Sequence, residues 1–282
     1  MEFKRNFSEI KKLNKETLFS KCIRSDCKQQ DVFMAIRNGY LDFYHKGGRL
    51  FKFDKNGFQT HIKYAAVIEK DKNDYLTEVQ LSKHKLSIDF IKSYSRIKEN
   101  CANYSGIEAK GVSRLYHKYS YLSDSNIIVL DIEVSFESDN KNKKQDRIDI
   151  LLYDKENKIL RFVEAKHYSN KEIISKTKPD VINQIKKYEK QIKNKKHNII
   201  TAYSNYINII NEIFKNETSY LPLPLPNDVE DEVTLFIFGF DKDQKEGRLT
   251  EIEKQLSGIK YYSVGNVKNV KINSLWNQAK IL

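Results

Sequence analysis

The chain has 282 residues, of which 39% are hydrophobic and 31% are charged, and its formal net charge at pH 7 is +12. No stretch reaches the about 18 consecutive apolar residues of a membrane-spanning helix, and the N-terminal sequence MEFKRNFSEIKK lacks the apolar segment of a signal peptide. These features exclude an integral membrane protein and predict a soluble cytoplasmic protein without a membrane partner. The cysteines Cys22, Cys27 and Cys101 have no metal-binding spacing and are expected to be reduced.

In chain order, the first predicted element is a polar helix near residues 7–21. A meander of three antiparallel strands follows, with turns predicted at Gly47-Gly48 and Asn56-Gly57, because such pairs suit two-residue hairpin loops. Another strand is predicted near residues 75–81. Apolar periodicity then indicates one helix over residues 82–99 and a second over residues 109–121.

The meander mixes aromatic and basic side chains, which are Phe43, Tyr44, Phe51, Phe53 and Phe58, and His45, Lys46, Arg49, Lys52 and Lys63. Aromatic rings can stack on bases while cations contact phosphates. This combination makes Lys46, Arg49, Lys52 and Lys63 candidate nucleic-acid-binding residues. The alternative is an ordinary amphipathic sheet, with the rings inside and the cations in water.

Charged residues interrupt two apolar strands predicted between Asn126 and Tyr168. The segments IDILLY and ILRFVEAKHY are separated by the polar turn DKENK, which predicts a β-hairpin. The two-residue period of a strand places Glu164 and Lys166 on one face, within reach of Asp149 on the neighbouring strand. A salt bridge at a strand end is the alternative, because the same E-x-K spacing also occurs elsewhere, at Glu2, Glu9, Glu108 and Glu156.

Asp149 together with Glu164-Ala165-Lys166 resembles the motif of the PD-(D/E)xK nuclease superfamily. Gln184 and Tyr188 share a face of the next predicted helix and resemble the Q-x-x-x-Y element of its RecB-type members. Ile148 stands where the name-giving proline would be, a position that carries no chemistry. Some RecB-type relatives hold an iron–sulfur cluster on four cysteines, and this chain has three.

The resemblance implies an α/β (α+β) fold with a restriction-endonuclease-like core, in which helices flank a central mixed sheet. This nuclease domain would comprise residues 105–282, after a basic N-terminal α+β domain of residues 1–104 that contains the meander. The remaining predicted elements are the helix that carries Gln184, a helix near residues 197–215, an extended LPLPLP segment, a buried strand VTLFIFGF, a helix LTEIEKQL and a strand KYYSV.

The resemblance also implies a magnesium ion held by Asp149 and Glu164, with manganese able to substitute. Lys166 would orient a water molecule or stabilise the transition state, and Gln184 and Tyr188 would belong to the site. Glu133 is the favoured additional ligand, because the apolar residues on either side of it alternate as in a strand. Glu108 and His117 are the alternative ligands.

These expectations together predict a metal-dependent nuclease that hydrolyses phosphodiester bonds in DNA, as an endonuclease in antiviral defence or restriction. A repair or recombination exonuclease is the alternative within enzymes. The alternative from another class is a catalytically inactive nuclease fold that binds nucleic acid or assembles with another subunit. The expected partners are DNA, an activating or sensing protein subunit, and a second copy of the chain.

Overall fold

A computed structural model describes residues 3–65, 74–83, 89–136, 147–175, 179–218 and 220–281. The chain forms two compact units. The meander unit contains Lys4–Ser113 and Asn205–Pro222, and the mixed-sheet unit contains Met1–Phe3, Arg114–Ser204 and Leu223–Leu282. After the short segment Met1–Phe3, the chain stays in the meander unit until Ser113. The domain boundary predicted from the sequence is after residue 104.

The meander unit is an α+β structure with an antiparallel five-stranded sheet. Its strands follow one another in space as they do in sequence: β1 (Phe33–Ile36), β2 (Leu41–His45), β3 (Gly48–Asp54), β4 (Gly57–His61) and β5 (Tyr75–Leu76). Its helices are α1 (Ile10–Lys15), α2 (Arg24–Lys28), which continues a π-helical turn at Phe19–Ile23, α3 (Glu78–Ser82) and α4 (Tyr94–Tyr104). The three-strand meander is confirmed, with one further strand on each side.

Both predicted hairpin turns are displaced by one residue. The first loop consists of Lys46 and Gly47, whose φ angles are 45° and 89°, because Gly48 already pairs with His45 as the first residue of β3. Two successive positive φ angles fit the twist of an antiparallel hairpin. The second loop is 55–56, since β3 ends at residue 54 and β4 begins at residue 57.

The aromatic residues of the meander form the core of its unit. Phe43, Phe51 and Phe53 are fully buried and Phe58 nearly so. The ring of Phe58 lies 4.7 Å from that of Phe53 and 5.6 Å from that of Phe43, measured between centroids. The alternation of the strands therefore directs these rings inward, as in an ordinary amphipathic sheet.

The helix predicted over residues 82–99 is wrong in its start, since α4 begins only at Tyr94. Residues 84–88 lie outside the described residues. Asp89 accepts hydrogen bonds from the backbone N–H groups of Ile91 and Lys92, so its side chain holds a turn that competes with helix. The strand predicted near residues 75–81 is likewise short, because Thr77 caps α3.

The mixed-sheet unit is built around a seven-stranded sheet. Its strands are β6 (Ile127–Ser135), β7 (Arg147–Asp154), β8 (Ile159–His167), β9 (Asp228–Val229), β10 (Thr234–Phe238), β11 (Lys260–Val264) and β12 (Lys280–Ile281). The spatial order is β12-β11-β10-β8-β7-β6, and β9 pairs with β8. The sheet is mixed, because β6, β7 and β8 are antiparallel neighbours while β8, β10 and β11 are parallel.

Several helices accompany this sheet. Two long ones, α5 (Ile107–Lys118) and α6 (Asp180–Phe214), run from one unit into the other. The short ones are α7 (Lys242–Gln244), α8 (Thr250–Gln255) and α9 (Ile272–Asn277), with a π-helical turn at Lys245–Leu249 and 3-10 turns at Lys171–Ile173 and Val267–Asn269. No helix in the described parts of the chain has the length and apolar character needed to cross a membrane.

The two helices predicted around Gln184 and over residues 197–215 are one continuous helix, α6. The polar stretch at residues 193–198 suggested a break, yet it contains neither proline nor glycine. Buried apolar residues continue on both sides of it, as in Ile192 and Ile199. Because these are seven residues apart, they lie on one face of the helix.

The two positive-φ glycines of the meander differ in their surroundings. A Cβ atom on Gly47 would lie 2.5 Å from the carbonyl carbon of Ala109, whereas a Cβ on Gly57 would meet nothing within 4 Å. We expect Gly57→Ala to destabilise the protein by about 1–2 kcal/mol through its backbone conformation, and Gly47→Ala by at least about 1 kcal/mol more through overpacking. Urea unfolding of both variants tests this. Equal losses would contradict the close approach of Ala109.

Candidate active site

Three carboxylates lie in a row across neighbouring strands of the mixed sheet. Ile132 and Val134 of β6 pair with Ile150 and Ile148 of β7, so Glu133 between them is opposite Asp149. On the other side of β7, Ile150 pairs with Val163, which brings Asp149 opposite Glu164. Cross-strand partners project from the same face, and the predicted convergence of Asp149 and Glu164 across the hairpin is therefore present.

Asp149 lies in the centre of this row and is half-buried. Its Oδ2 accepts a hydrogen bond of 2.8 Å from the backbone N–H of Ala165. Burial raises the pKa of Asp149 well above its ordinary value, and the negative charges of Glu164 and, more weakly, Glu133 raise it further. The Ala165 hydrogen bond and the charge of Lys166 oppose this rise without cancelling it.

Lys166 is two residues after Glu164 on β8, so the two side chains share a face of the strand. Two carboxylates contact its ammonium group. Its Nζ lies 2.7 Å from Glu164 Oε1 and 2.6 Å from Glu172 Oε2. Glu164 and Lys166 are only 1% and 6% exposed. Burial alone would lower the pKa of Lys166, but the charge and hydrogen bond of Glu164, the hydrogen bond of Glu172 and the charge of Asp149 raise it above its ordinary value. Lys166 therefore remains cationic at neutral pH.

Glu133 has an uncommon backbone conformation for a strand residue. Its φ angle is 51°, in the left-handed region that glycine adopts easily and that costs other residues about 1–3 kcal/mol. Its Oε2 lies 3.0 Å from Arg147 Nη1, the first residue of β7. Both side chains are accessible to water, being 36% and 60% exposed respectively.

Gln184 and Tyr188 connect α6 to the strand that carries Asp149. The buried hydroxyl of Tyr188 donates a 2.8 Å hydrogen bond to the backbone carbonyl of Arg147, two residues before Asp149. Gln184 Nε2 donates to that same hydroxyl over 3.0 Å. The pair therefore has a positioning role, since these contacts fix the backbone of β7 next to the carboxylates.

A β-bulge makes β6 differ from the predicted regular alternation. Val129 pairs with Leu152 and Asp131 pairs with Leu151, so Leu130 is the extra residue. The buried Asp131 accepts a hydrogen bond of 2.9 Å from the hydroxyl of Tyr203 on α6. Because of the bulge, Val129 lies on the same face of the sheet as Ile132 and Val134.

The three candidates for an additional ligand lie in different places. Glu133 is the candidate on a strand beside Asp149. His117 is on α5, with its ring centroid 4.6 Å from that of its neighbour Tyr116. Glu108 lies in the first turn of α5 and belongs to the meander unit.

The carboxylates are not arranged as a ready-made ligand cage. Within the described residues, no three His, Cys, Asp or Glu side chains are grouped so that they could hold a metal ion, since Glu133 turns to Arg147 and Glu164 to Lys166. The donor chemistry nevertheless fits magnesium, which prefers carboxylate oxygens and keeps several waters. Three carboxylates, Glu133, Glu164 and Glu172, contact the two cations Arg147 and Lys166, and Asp149 has no cation as a partner in these contacts, so a divalent cation would add the missing positive charge.

Two residues of this arrangement were missed by the sequence analysis. Glu172 lies in the 3-10 turn after β8, which Asn170 initiates by accepting a hydrogen bond from the N–H of Glu172. An N-x-E sequence directly after the E-x-K strand was the available indication. Arg147 could have been noticed as a cation that begins the strand of Asp149, although nothing local indicated its pairing with Glu133.

The four candidate nucleic-acid-binding residues belong to the meander unit and have different partners. Arg49 Nη1 lies 3.3 Å from Asp42 Oδ1, and its guanidinium stacks 4.0 Å above the ring of Tyr75. Lys52 pairs with Asp54 at 2.8 Å. Lys46 is exposed in the β2–β3 loop, and Lys63 lies 5.9 Å from the ring centroid of Tyr104.

Arg49 and Lys52 border an open groove of about 900 Å³ in the meander unit, lined by Tyr40, Arg49, Lys52, Asp54, Asn56, Gln59, Asp74, Tyr75, Thr77 and Gln80. The aromatic rings in this groove are those of Tyr40 and Tyr75. The phenylalanines considered for base stacking are buried in the core instead.

No protein-family model, curated protein or solved structure matches this chain.

The raised pKa of Asp149 makes a prediction about stability. The folded state favours its protonated form, so its ionisation opposes folding as pH rises above its ordinary value of 3.8 toward the raised value. Asp149→Asn removes this charge and retains an oxygen that accepts the Ala165 hydrogen bond. We expect Asp149→Asn to be more stable than the native protein in EDTA, by a margin that grows from about pH 4 to pH 8.

Thermal melting of both proteins across this pH range checks the prediction. Glu156→Gln, a change in the exposed β7–β8 turn, is the control and should show no growing margin. A margin for Asp149→Asn that is independent of pH would show that burial does not disfavour the Asp149 carboxylate.

Proposed function

We propose that this chain is a metal-dependent nuclease that hydrolyses phosphodiester bonds in DNA, with a restriction-endonuclease-like core in its mixed-sheet unit. The observation that carries the proposal is the opposition of Asp149 and Glu164 across the β7–β8 hairpin, with Lys166 one alternation further along β8. An endonuclease of antiviral defence or restriction is the biological role proposed by analogy with the superfamily.

The burial of these charges favours a catalytic over a purely structural role. Glu164 is 1% exposed and the neighbouring Asp149 is half-buried, and burying neighbouring carboxylates destabilises a fold. A fold that served only for assembly would be more stable with apolar residues at these positions. Stability that is given up at one place is characteristic of functional sites.

The residues have separable roles in the proposed reaction. Asp149 and Glu164, with Glu133, would hold magnesium; manganese can substitute. When bound, such an ion lowers the pKa of a water molecule and offsets the negative charge that develops on the phosphate. Lys166 stays protonated, so its ammonium group stabilises that charge or orients the water and does not act as a general base.

Glu172, Tyr188 and Gln184 have positioning roles in the proposed reaction. Glu172 shares the ammonium of Lys166 with Glu164 and thereby fixes its position. Tyr188 and Gln184 hold the backbone of β7. We expect changes at these three positions to reduce the rate less than changes at Asp149, Glu164 or Lys166.

Incubation with circular and linear DNA and RNA, in magnesium, manganese or EDTA, tests the proposal. We expect metal-dependent cleavage of DNA, and cleavage of circles if the enzyme is an endonuclease. Asp149→Ala, Glu164→Ala and Lys166→Ala should each lower the rate on the order of 10²-fold or more, because each removes charge that acts on the transition state.

The turn between β7 and β8 provides a matched control. Glu156 and Lys158 have the same E-x-K spacing as Glu164 and Lys166 but are exposed, so Glu156→Ala should cleave at the native rate. Native cleavage by a correctly folded Asp149→Ala would disprove the assignment of the site.

We also propose that the basic meander unit binds the substrate, and salt dependence tests this. Each cation that contacts a DNA phosphate adds about 0.9 to the slope of log affinity against log salt. Alanine at Lys46, Arg49, Lys52 and Lys63, in an Asp149→Ala background that prevents cutting, should flatten the slope. Lys63 should contribute more to the change than Arg49 or Lys52, because Arg49 and Lys52 pair with buried or half-buried carboxylates.

The matched control replaces four lysines of the same unit outside the meander, Lys11, Lys15, Lys21 and Lys92, with alanine. An equal flattening in both quadruple variants would indicate a general charge effect. An unchanged slope in the meander variant would reject phosphate binding by these residues, and loss of assembly or activation in that variant would point to a protein partner.

A further inference from the structure

The ion pair of Glu133 and Arg147 lies at the accessible end of the carboxylate row. Glu133 is opposite Asp149 on the adjacent strand, and its charge contributes weakly to raising the pKa of that carboxyl. Its carboxylate nevertheless points to the guanidinium of Arg147, at 3.0 Å. The outermost candidate ligand is therefore held by a cation that the proposed reaction has not used.

The backbones of both residues are fixed while their side chains reach water. Arg147 is anchored through its carbonyl by the Tyr188 hydroxyl, and its side chain is 60% exposed. Glu133 is held in a left-handed conformation inside a strand, an arrangement that persists only where neighbouring structure imposes it and that concentrates at functional sites. A rotation of either side chain separates the pair without moving the sheet.

The chemistry of the two groups suggests what replaces the pair. A carboxylate beside Asp149 is a suitable ligand for a hard divalent cation. A guanidinium that loses its carboxylate binds a phosphate well, because its planar donors match two phosphate oxygens. Both replacements would occur together when metal and a phosphodiester enter the site.

On the premise of the proposed function, we propose that Arg147 is a substrate-phosphate-binding residue that exchanges partners with Glu133. In the protein without metal and DNA, each side chain neutralises the other. When metal binds, Glu133 turns to it and Arg147 becomes available to the DNA phosphate next to the scissile bond. Each ligand then favours the binding of the other through this one ion pair.

Metal affinity without DNA gives the first test. Manganese binding is measured by electron paramagnetic resonance for the native protein, Arg147→Gln, Glu133→Gln and the double variant. Arg147→Gln should bind manganese about two- to five-fold more tightly than the native protein, the range that a half-exposed ion pair supports. In the Glu133→Gln background the same change should have no such effect, because the ligand it would release is absent.

A charge control accompanies this cycle. Lys171→Gln removes an exposed cation adjacent to Glu172 without touching Glu133. It should change the manganese affinity by the same factor in the native and in the Glu133→Gln background. Equal manganese affinities for Arg147→Gln and the native protein would overturn the exchange. An equal gain in both backgrounds would do the same, since it would reflect charge alone.

DNA affinity in EDTA gives the second test, because no cleavage occurs there. Glu133→Gln should bind a DNA duplex more tightly than the native protein, with a salt slope steeper by about 0.9, and the added Arg147→Gln change should remove the gain. No gain from Glu133→Gln would overturn the exchange alone if the native protein cleaves DNA in magnesium. A native protein that neither binds manganese nor cleaves DNA would overturn the proposed function and the exchange with it.

Discussion

Burial of the Asp149 carboxylate opposite Glu164 is the constraint on which the mixed-sheet unit depends. Two acids that face each other across a hairpin repel, and their partial removal from water strengthens that repulsion. The fold offsets it with the Ala165 N–H and with Lys166. Lys166 in turn has Glu172 as a second partner, so the unfavourable pair is compensated by groups on the same strand and in the turn that follows it.

Helix α6 supports the two strands that carry Glu133 and Asp149. Tyr188 contributes a hydroxyl to the Arg147 carbonyl, and Tyr203 contributes another to Asp131. Both rings are fully buried, so the helix supplies apolar packing and directed hydrogen bonds with the same side chains. Strands β6 and β7 are therefore fixed at the positions from which Glu133 and Asp149 project.

The hairpin of β7 and β8 was accessible from sequence because its information is local. Alternation of apolar residues and a polar turn specify register, and register alone opposes Asp149 to Glu164. The left-handed Glu133 and the bulge at Leu130 were not accessible, because they depend on how β6 meets its neighbour. The pairing of Glu172 with Lys166 was missed for a related reason, since it depends on the path that the chain takes after β8.

Some of the longer-range features were also predicted from the sequence, and others were not. The α+β class and the mixed sheet, which the nuclease resemblance implied, are present, whereas the specific nuclease fold stays a proposal. One helix was taken for two, because polar residues at 193–198 obscured the seven-residue spacing of Ile192 and Ile199. In the meander, composition alone could not distinguish core phenylalanines from stacking surfaces, and burial assigned them to the core.

The path of the chain has a consequence for biosynthesis. The meander unit is discontinuous, since it includes Asn205–Pro222, and Glu217 of that segment pairs with Arg24 and Lys28 near the other end of the unit. The ribosome therefore must release the first 222 residues before the N-terminal unit can be completed. Because domains usually fold as they emerge, the nascent meander unit would have to wait for most of the mixed-sheet unit to be synthesised before its last segment can pack.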